Sequence, residues 1–98
     1  MNIIKNQTDK SLNIPLLGRL DTTTAPELEA ELKQSIGDSA ELNLDFAKLE
    51  YLSSAGLRVL LAAQKIMNKQ GKMVIRNVND VISEVFEVTG FSDILTIE

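Results

Sequence analysis

The sequence predicts a single α/β domain whose sheet is mainly parallel behind an N-terminal hairpin, and three observations carry that expectation. Leu12, Ile14 and Leu16, and again Leu42, Leu44 and Phe46, alternate with polar residues or proline, the period of two that marks a half-buried strand. After each run comes a stretch with helical spacing, long enough to carry the chain back across a sheet so that the next strand runs parallel. The chain has 98 residues, which suffices for one small core and not for two.

Taken in order, Ile3 and Ile4 begin a first strand, joined to the second as a hairpin through a polar turn at residues 6–10. The second strand ends at Gly18. Its Pro15 cannot donate to a ladder, so it needs an edge or a position where the missing N–H points outward. In Thr24-Ala25-Pro26-Glu27 a threonine stands three residues before a glutamate with proline in the first turn, the spacing of a capping box. The helix that follows should bury Leu28, Leu32 and Ile36, expose Glu29 and Lys33 as an i,i+4 pair, and close at Gly37. Leu42, Leu44 and Phe46 form a third strand leading into a turn before Ser53. A second helix, from about residue 57 to 70, carries Val59, Leu60, Ala63, Ile66 and Met67 on its apolar side, Arg58, Lys65 and Lys69 in water, and ends at Gly71. Met73-Val74-Ile75-Arg76 makes a short buried strand, Asn79 or Asp80 caps a third helix, and Thr89-Gly90-Phe91 reads as its stop. Residues 94–97 are expected to add a last strand. One core should collect Leu42, Leu44, Val59, Leu60, Ile66, Val74, Ile75 and Phe86.

Composition narrows the function. The chain contains no Cys, which removes disulfides, thiolate catalysis and cysteine-based zinc sites, and no His, the side chain that titrates nearest neutrality. Most acid–base and metallohydrolase chemistry thereby loses its usual parts, and neither a metal nor a cofactor is expected. A net charge of −4 without a run of Lys and Arg argues against a nucleic-acid partner. No apolar stretch approaches the roughly 20 residues that cross a bilayer, and the N-terminus has no signal-peptide core, so a cytoplasmic protein is expected.

The most informative segment is residues 49–61, LEYLSSAGLRVLL, where Ser53 and Ser54 stand at the passage from strand-side turn to helix. A helix start gathers unpaired N–H groups and the positive end of the helix dipole, so a phosphate carried there would be held rather than repelled. The plainer role for such a serine is an N-cap contributing about 1 kcal/mol. A serine esterase does not fit, because Leu52-Ser53-Ser54-Ala55-Gly56 lacks the first glycine of a Gly-x-Ser-x-Gly elbow and no histidine exists to act as base. Asp21 and Asp45 resemble a receiver-domain metal pair only loosely, since no adjacent acidic pair occurs near the N-terminus. Asp21 reads equally as a loop carboxylate that starts the first helix. Gly56 reads as relief of crowding in the first turn of the second helix, and Arg58, Lys65 and Lys69 as a solvated face that could also meet an acidic partner.

Ser54-Ala55-Gly56-Leu57 resembles the phosphoacceptor motif of the anti-anti-sigma factors, small bacterial STAS-domain proteins. Gly18-Arg19-Leu20-Asp21 followed by Thr24-Ala25 is similar to the STAS signature before the first helix, and Glu87-Val88-Thr89-Gly90-Phe91 to the closing helix and its glycine stop. The resemblance spans nearly the whole chain. It implies one STAS domain over residues 1–98, with a mixed sheet of four to five strands and helices mainly on one side. It further implies a non-enzymatic anti-sigma factor antagonist, whose unphosphorylated form binds an anti-sigma factor that is also a serine kinase and so releases a sigma factor. Phosphorylation of Ser54 would switch it off and a serine phosphatase would reverse this. The partner surface would comprise Asp21, Thr23, Ser53, Ala55, Gly56, Leu57 and Arg58. Ser53 stands where the best-known members have aspartate, and it is the alternative acceptor. STAS domains also serve as accessory subunits of lipid or anion transporters, which is the rival function.

Overall fold

The computed structural model describes residues 6–8 and 11–98. Its elements are β1 (Asn6–Thr8), β2 (Ser11–Leu20), α1 (Ala25–Ser35), β3 (Glu41–Leu52), α2 (Ser54–Gln70), β4 (Lys72–Arg76) and α3 (Asp80–Thr89), followed by a 3-10 turn over Phe91–Asp93. Among the described residues the sheet order is β1-β2-β3-β4, with β2, β3 and β4 parallel and β1 antiparallel to β2. The turn expected at residues 6–10 is corrected: Asn6–Thr8 pair with residues 11–13, because a ladder needs only backbone donors and acceptors and tolerates polar side chains at its edge. Ile3 and Ile4 lie outside the described residues.

Both central strands run further than their alternation indicates. β2 continues past Gly18 to Leu20 and β3 past Phe46 to Leu52, with register shifts after Pro15 and after Gly18 where β3 carries an extra residue. Such bulges break the period of two, so the pattern dissolves although the pairing persists. Pro15 lies beyond the described β1 pairing and at the first shift, a place where a strand accommodates the missing donor.

Leu12, Ile14 and Leu16 of β2 and Leu42, Leu44 and Phe46 of β3 are fully buried on one face, against Leu28 and Leu32 of α1, Leu60 and Met67 of α2 and Phe86 of α3. Burying each such side chain contributes roughly 2 kcal/mol. The Phe46 and Phe86 rings lie 6.3 Å apart at 37°, which ties α3 to β3. Seven of the eight expected core residues are buried, but Ile66 is 36% exposed. It sits on the flank of the α2 stripe, where the groove toward Leu32 and Lys33 of α1 opens to solvent. Val74 is buried outside the main cluster, opposite Asn43 on the other face of the sheet. That face is polar: Asn43 Nδ2 donates to Asn13 Oδ1 at 2.9 Å and to Glu41 Oε1 at 2.8 Å.

Helix ends follow local chemistry, with one exception. Asn79 caps α3 by accepting from the Ile82 N–H at 2.9 Å, and Gly90 ends it in the left-handed region at φ +80°. The capping box at α1 does not form. Thr24 has helical dihedrals, and its hydroxyl turns back to donate to the Arg19 carbonyl at 2.7 Å. The last strand expected at residues 94–97 reduces to a single bridge between Ile97 and Ile75, because the 3-10 turn and helical backbone at Ile94 consume the preceding residues.

Candidate functional site

The site lies where β2 and β3 end side by side, since parallel strands deliver their C-terminal loops to one edge of the sheet. Leu20 pairs with Leu52, and the Ser53 N–H donates to the Leu20 carbonyl at 2.9 Å, locking the two exits together. From the first exit the chain turns through Asp21 into α1; from the second it turns through Ser53 into α2.

The two serines divide their work. Ser53 has extended backbone, φ −96° and ψ 173°, and its Oγ accepts from the Gly56 N–H at 3.3 Å, so it is the N-cap. Ser54 is the first helical residue and is exposed, with a hydroxyl not committed to capping. Of the two serines that the sequence offers as N-caps, the structure takes Ser53, because the backbone becomes helical at Ser54 and a cap must precede that point. Helix α2 correspondingly starts three residues before residue 57.

Gly56 is buried, and a Cβ there would stand 2.8 Å from Leu20 Cγ and from Leu52 Cδ1. The glycine therefore lets the first turn of α2 settle onto the ends of β2 and β3. It does not lower an outer surface, as a partner-facing role would require. Leu57, 7% exposed, packs into the core beside it. Thr23, Ala55 and Arg58 stay at least partly accessible, and a cleft of about 210 Å³ between α1 and α2 is lined by Thr22, Ala25, Pro26, Glu29, Ala55, Arg58 and Val59.

Asp21 organises the neighbouring turn. Its Oδ1 accepts from the N–H groups of Thr23 at 3.0 Å and Thr24 at 3.1 Å, and its carbonyl accepts from the Ala25 N–H at 2.8 Å. These bonds do for α1 what the capping box would have done. The Thr24 N–H bond foremost, helped by Thr23, the Thr24 hydroxyl and Arg19, holds the Asp21 carboxyl below its ordinary value, against a smaller opposing effect of burial. Arg19 Nε lies 3.5 Å from Asp21 Oδ2, and its guanidinium sits 4.3 Å from the Tyr51 ring centroid. Sequence reasoning passed over this Arg19–Tyr51 pair. The signal was absent, since Arg19 meets Tyr51 only because of the second bulge.

Asp45 is occupied elsewhere, accepting from Asn77 Nδ2 and from the Ala47 N–H, both at 2.9 Å. Among the described residues no group of three or more acidic side chains is arranged to hold a metal, and no helix is long and apolar enough to cross a membrane.

Residues 3–96 match the family described as "Mlab, STAS domain". The chain is 37% identical to BtrV of Bordetella bronchiseptica, whose name designates it a candidate anti-sigma factor antagonist, over 99% of this chain and 85% of that protein. It is 31% identical to the anti-sigma-B factor antagonist of Listeria monocytogenes, over 100% of this chain and 90% of that protein. In three dimensions it is similar to an anti-sigma factor antagonist from Mycobacterium paratuberculosis, with a TM-score of 0.88, 22% identity and coverage of 98% and 83%. It is also similar to SpoIIAA in its unphosphorylated form, with a TM-score of 0.78, 18% identity and coverage of 99% and 87%; SpoIIAA has been solved in a phosphorylated form too. At these identities the structural likenesses speak for the fold.

Proposed function

The chain belongs to the STAS domain family, and from that premise we propose that it is an anti-sigma factor antagonist switched by phosphorylation of Ser54. In this reading it is a binding module and a kinase substrate, not an enzyme, and it acts in the cytoplasm. The unphosphorylated form binds an anti-sigma factor that is also a serine kinase and frees a sigma factor. The kinase moves the γ-phosphoryl group of ATP to Ser54 Oγ, with loss of the hydroxyl proton and release of ADP; a serine phosphatase hydrolyses the ester. The same reading takes residues 1–98 as one domain with a mixed sheet of four to five strands and helices mainly on one side.

The observation that carries the proposal is the division between the serines. Ser53 spends its hydroxyl on the cap, whereas Ser54, one residue on, presents a free hydroxyl at the exposed start of α2. A phosphate of charge about −1.5 to −2 placed there leaves the cap intact and does not enter the core. Around it, Asp21, Thr23, Ser53, Ala55 and Arg58 form the partner surface, with Gly56 and Leu57 supporting it from beneath.

Binding to a co-encoded anti-sigma kinase tests this. Ser54→Ala should bind and accept no phosphate, while Ser54→Asp should keep native circular dichroism and lose binding. Phosphate mapped to Ser53 with Ser54 untouched would move the register by one. No labelling by any co-encoded kinase, with stable co-purification on a membrane permease or ATPase, would favour the transporter-subunit role instead.

A further inference from the structure

Ser54, Arg58, Lys65 and Lys69 fall close to whole numbers of helical turns apart, and all four are exposed. They make one line along the outer face of α2, with the serine at its N-terminal end. Arg58 follows Ser54 at i+4, the spacing that brings side chains together on a helix, with Cβ atoms about 5–6 Å apart. Helical side chains lean toward the N-terminus, so the Arg58 stem leans back over the turn that begins with Ser54.

The charges nearby are already matched. Asp21, on the β2–α1 turn, pairs with Arg19 at 3.5 Å, and Glu29, across the cleft on α1, pairs with Lys33 at 3.7 Å. Among the described residues the Arg58 guanidinium has no ion-pair partner. Among those residues it is a cation without a counter-ion, one turn from a hydroxyl read as the phosphoacceptor.

We infer that Arg58 is the intramolecular counter-ion of a phosphate on Ser54, and that phosphorylation acts on the partner surface partly by capturing this guanidinium. The inference rests on Ser54 as the phosphoacceptor. A guanidinium donates two parallel hydrogen bonds to phosphate oxygens, a geometry an ammonium lacks. In the unphosphorylated chain Arg58 is free to meet an acidic group of the partner. After phosphorylation it folds onto its own chain, so the surface gains a dianion and loses a cation in one step.

The test uses the full chain made with phosphoserine at position 54, so that no kinase is needed, and follows the phosphate by 31P NMR against pH. Replacing Arg58 by Gln should raise the second phosphate pKa by at least about 0.3 of a pH unit, with Arg58→Lys between the two. The difference should shrink at 1 M salt, where the screening length is about 3 Å. Lys65→Gln should leave the pKa in place. Equal values in the wild type and Arg58→Gln, or an equal rise in Lys65→Gln, would overturn the inference. Because the phosphate is installed in synthesis, that outcome is distinct from a kinase failing to label Ser54, which would instead sink the switch itself.

Discussion

Ser53 Oγ accepts from the Gly56 N–H, while the Ser54 hydroxyl one residue later is left to solvent, so the two serines should respond differently to truncation. Ser53→Ala should cost about 1 kcal/mol in urea unfolding, the usual cost of a lost cap. Ser54→Ala should stay within about 0.5 kcal/mol, as exposed substitutions do. An equal loss from both would mean that the capping role is shared. Asp21 has a pH signature of its own. Its carboxyl is held below the ordinary 3.8 chiefly by the Thr24 N–H, so the anion is favoured in the folded state. A depressed pKa gives stability that is fully present above the ordinary value and is lost as pH falls through the folded value. Asp21→Asn should therefore lie below the wild type at neutral pH and converge with it under pH 4. Glu41 and Asp45 are depressed as well, so the difference between the two curves, not the acid limb of either, is the measurement.

At the scale of elements, α2 shows how a stripe read from spacing differs from the face that is buried. Leu60 is at the centre of the packed face and fully buried, and Leu60→Ala should cost about 2–5 kcal/mol through lost contacts and a cavity. Ile66 fits the same helical period and is 36% exposed, so Ile66→Ala should cost less than about 1 kcal/mol. Denaturant midpoints for the pair separate the two readings. The end of α2 is set by contact and not by backbone freedom. Gly71 has an extended φ of 173°, open to any residue, but a Cβ there would run into the Ala40 carbonyl, which accepts from the Lys72 N–H at 3.0 Å. Gly71→Ala should therefore unfold the α2–β4 junction or destabilise the domain by more than about 3 kcal/mol, beyond what helix propensity accounts for.

Across the whole molecule, the site and the core share parts. Leu20 and Leu52 end the two central strands, are buried, and take the first turn of α2 on top of them through Gly56. The first turn of α2, with Ser54 at its start, is therefore seated directly on the ends of the two central strands. Tyr51, the one tyrosine in a chain without tryptophan, reports on that edge through its stacking with Arg19, while circular dichroism reports on the helices. In urea the two signals should give one midpoint, as a single cooperative unit requires. An earlier Tyr51 transition would show that the site end opens separately from the core.

The amino-acid sequence by itself determined the order of elements, the inward residues of β2, β3 and α1, the stops at Gly37 and Gly90, and the serine pair at the head of α2. These depend on local periodicity and on backbone preferences that a short window contains. Only the tertiary structure decided how far β2 and β3 run, because a bulge is an agreement between two strands. Between the Thr24 box and the Asp21 carboxylate, both offered by the sequence as the start of α1, the folded turn chose Asp21, since the Thr24 hydroxyl is claimed by the carbonyl of Arg19 five residues back. The buried Gln64, 5% exposed with its amide donating to Asn68 at 2.8 Å, and the exposed Ile66 are of the same kind. Which flank of a helix is covered depends on where its neighbours stop, and that is a property of the packed molecule.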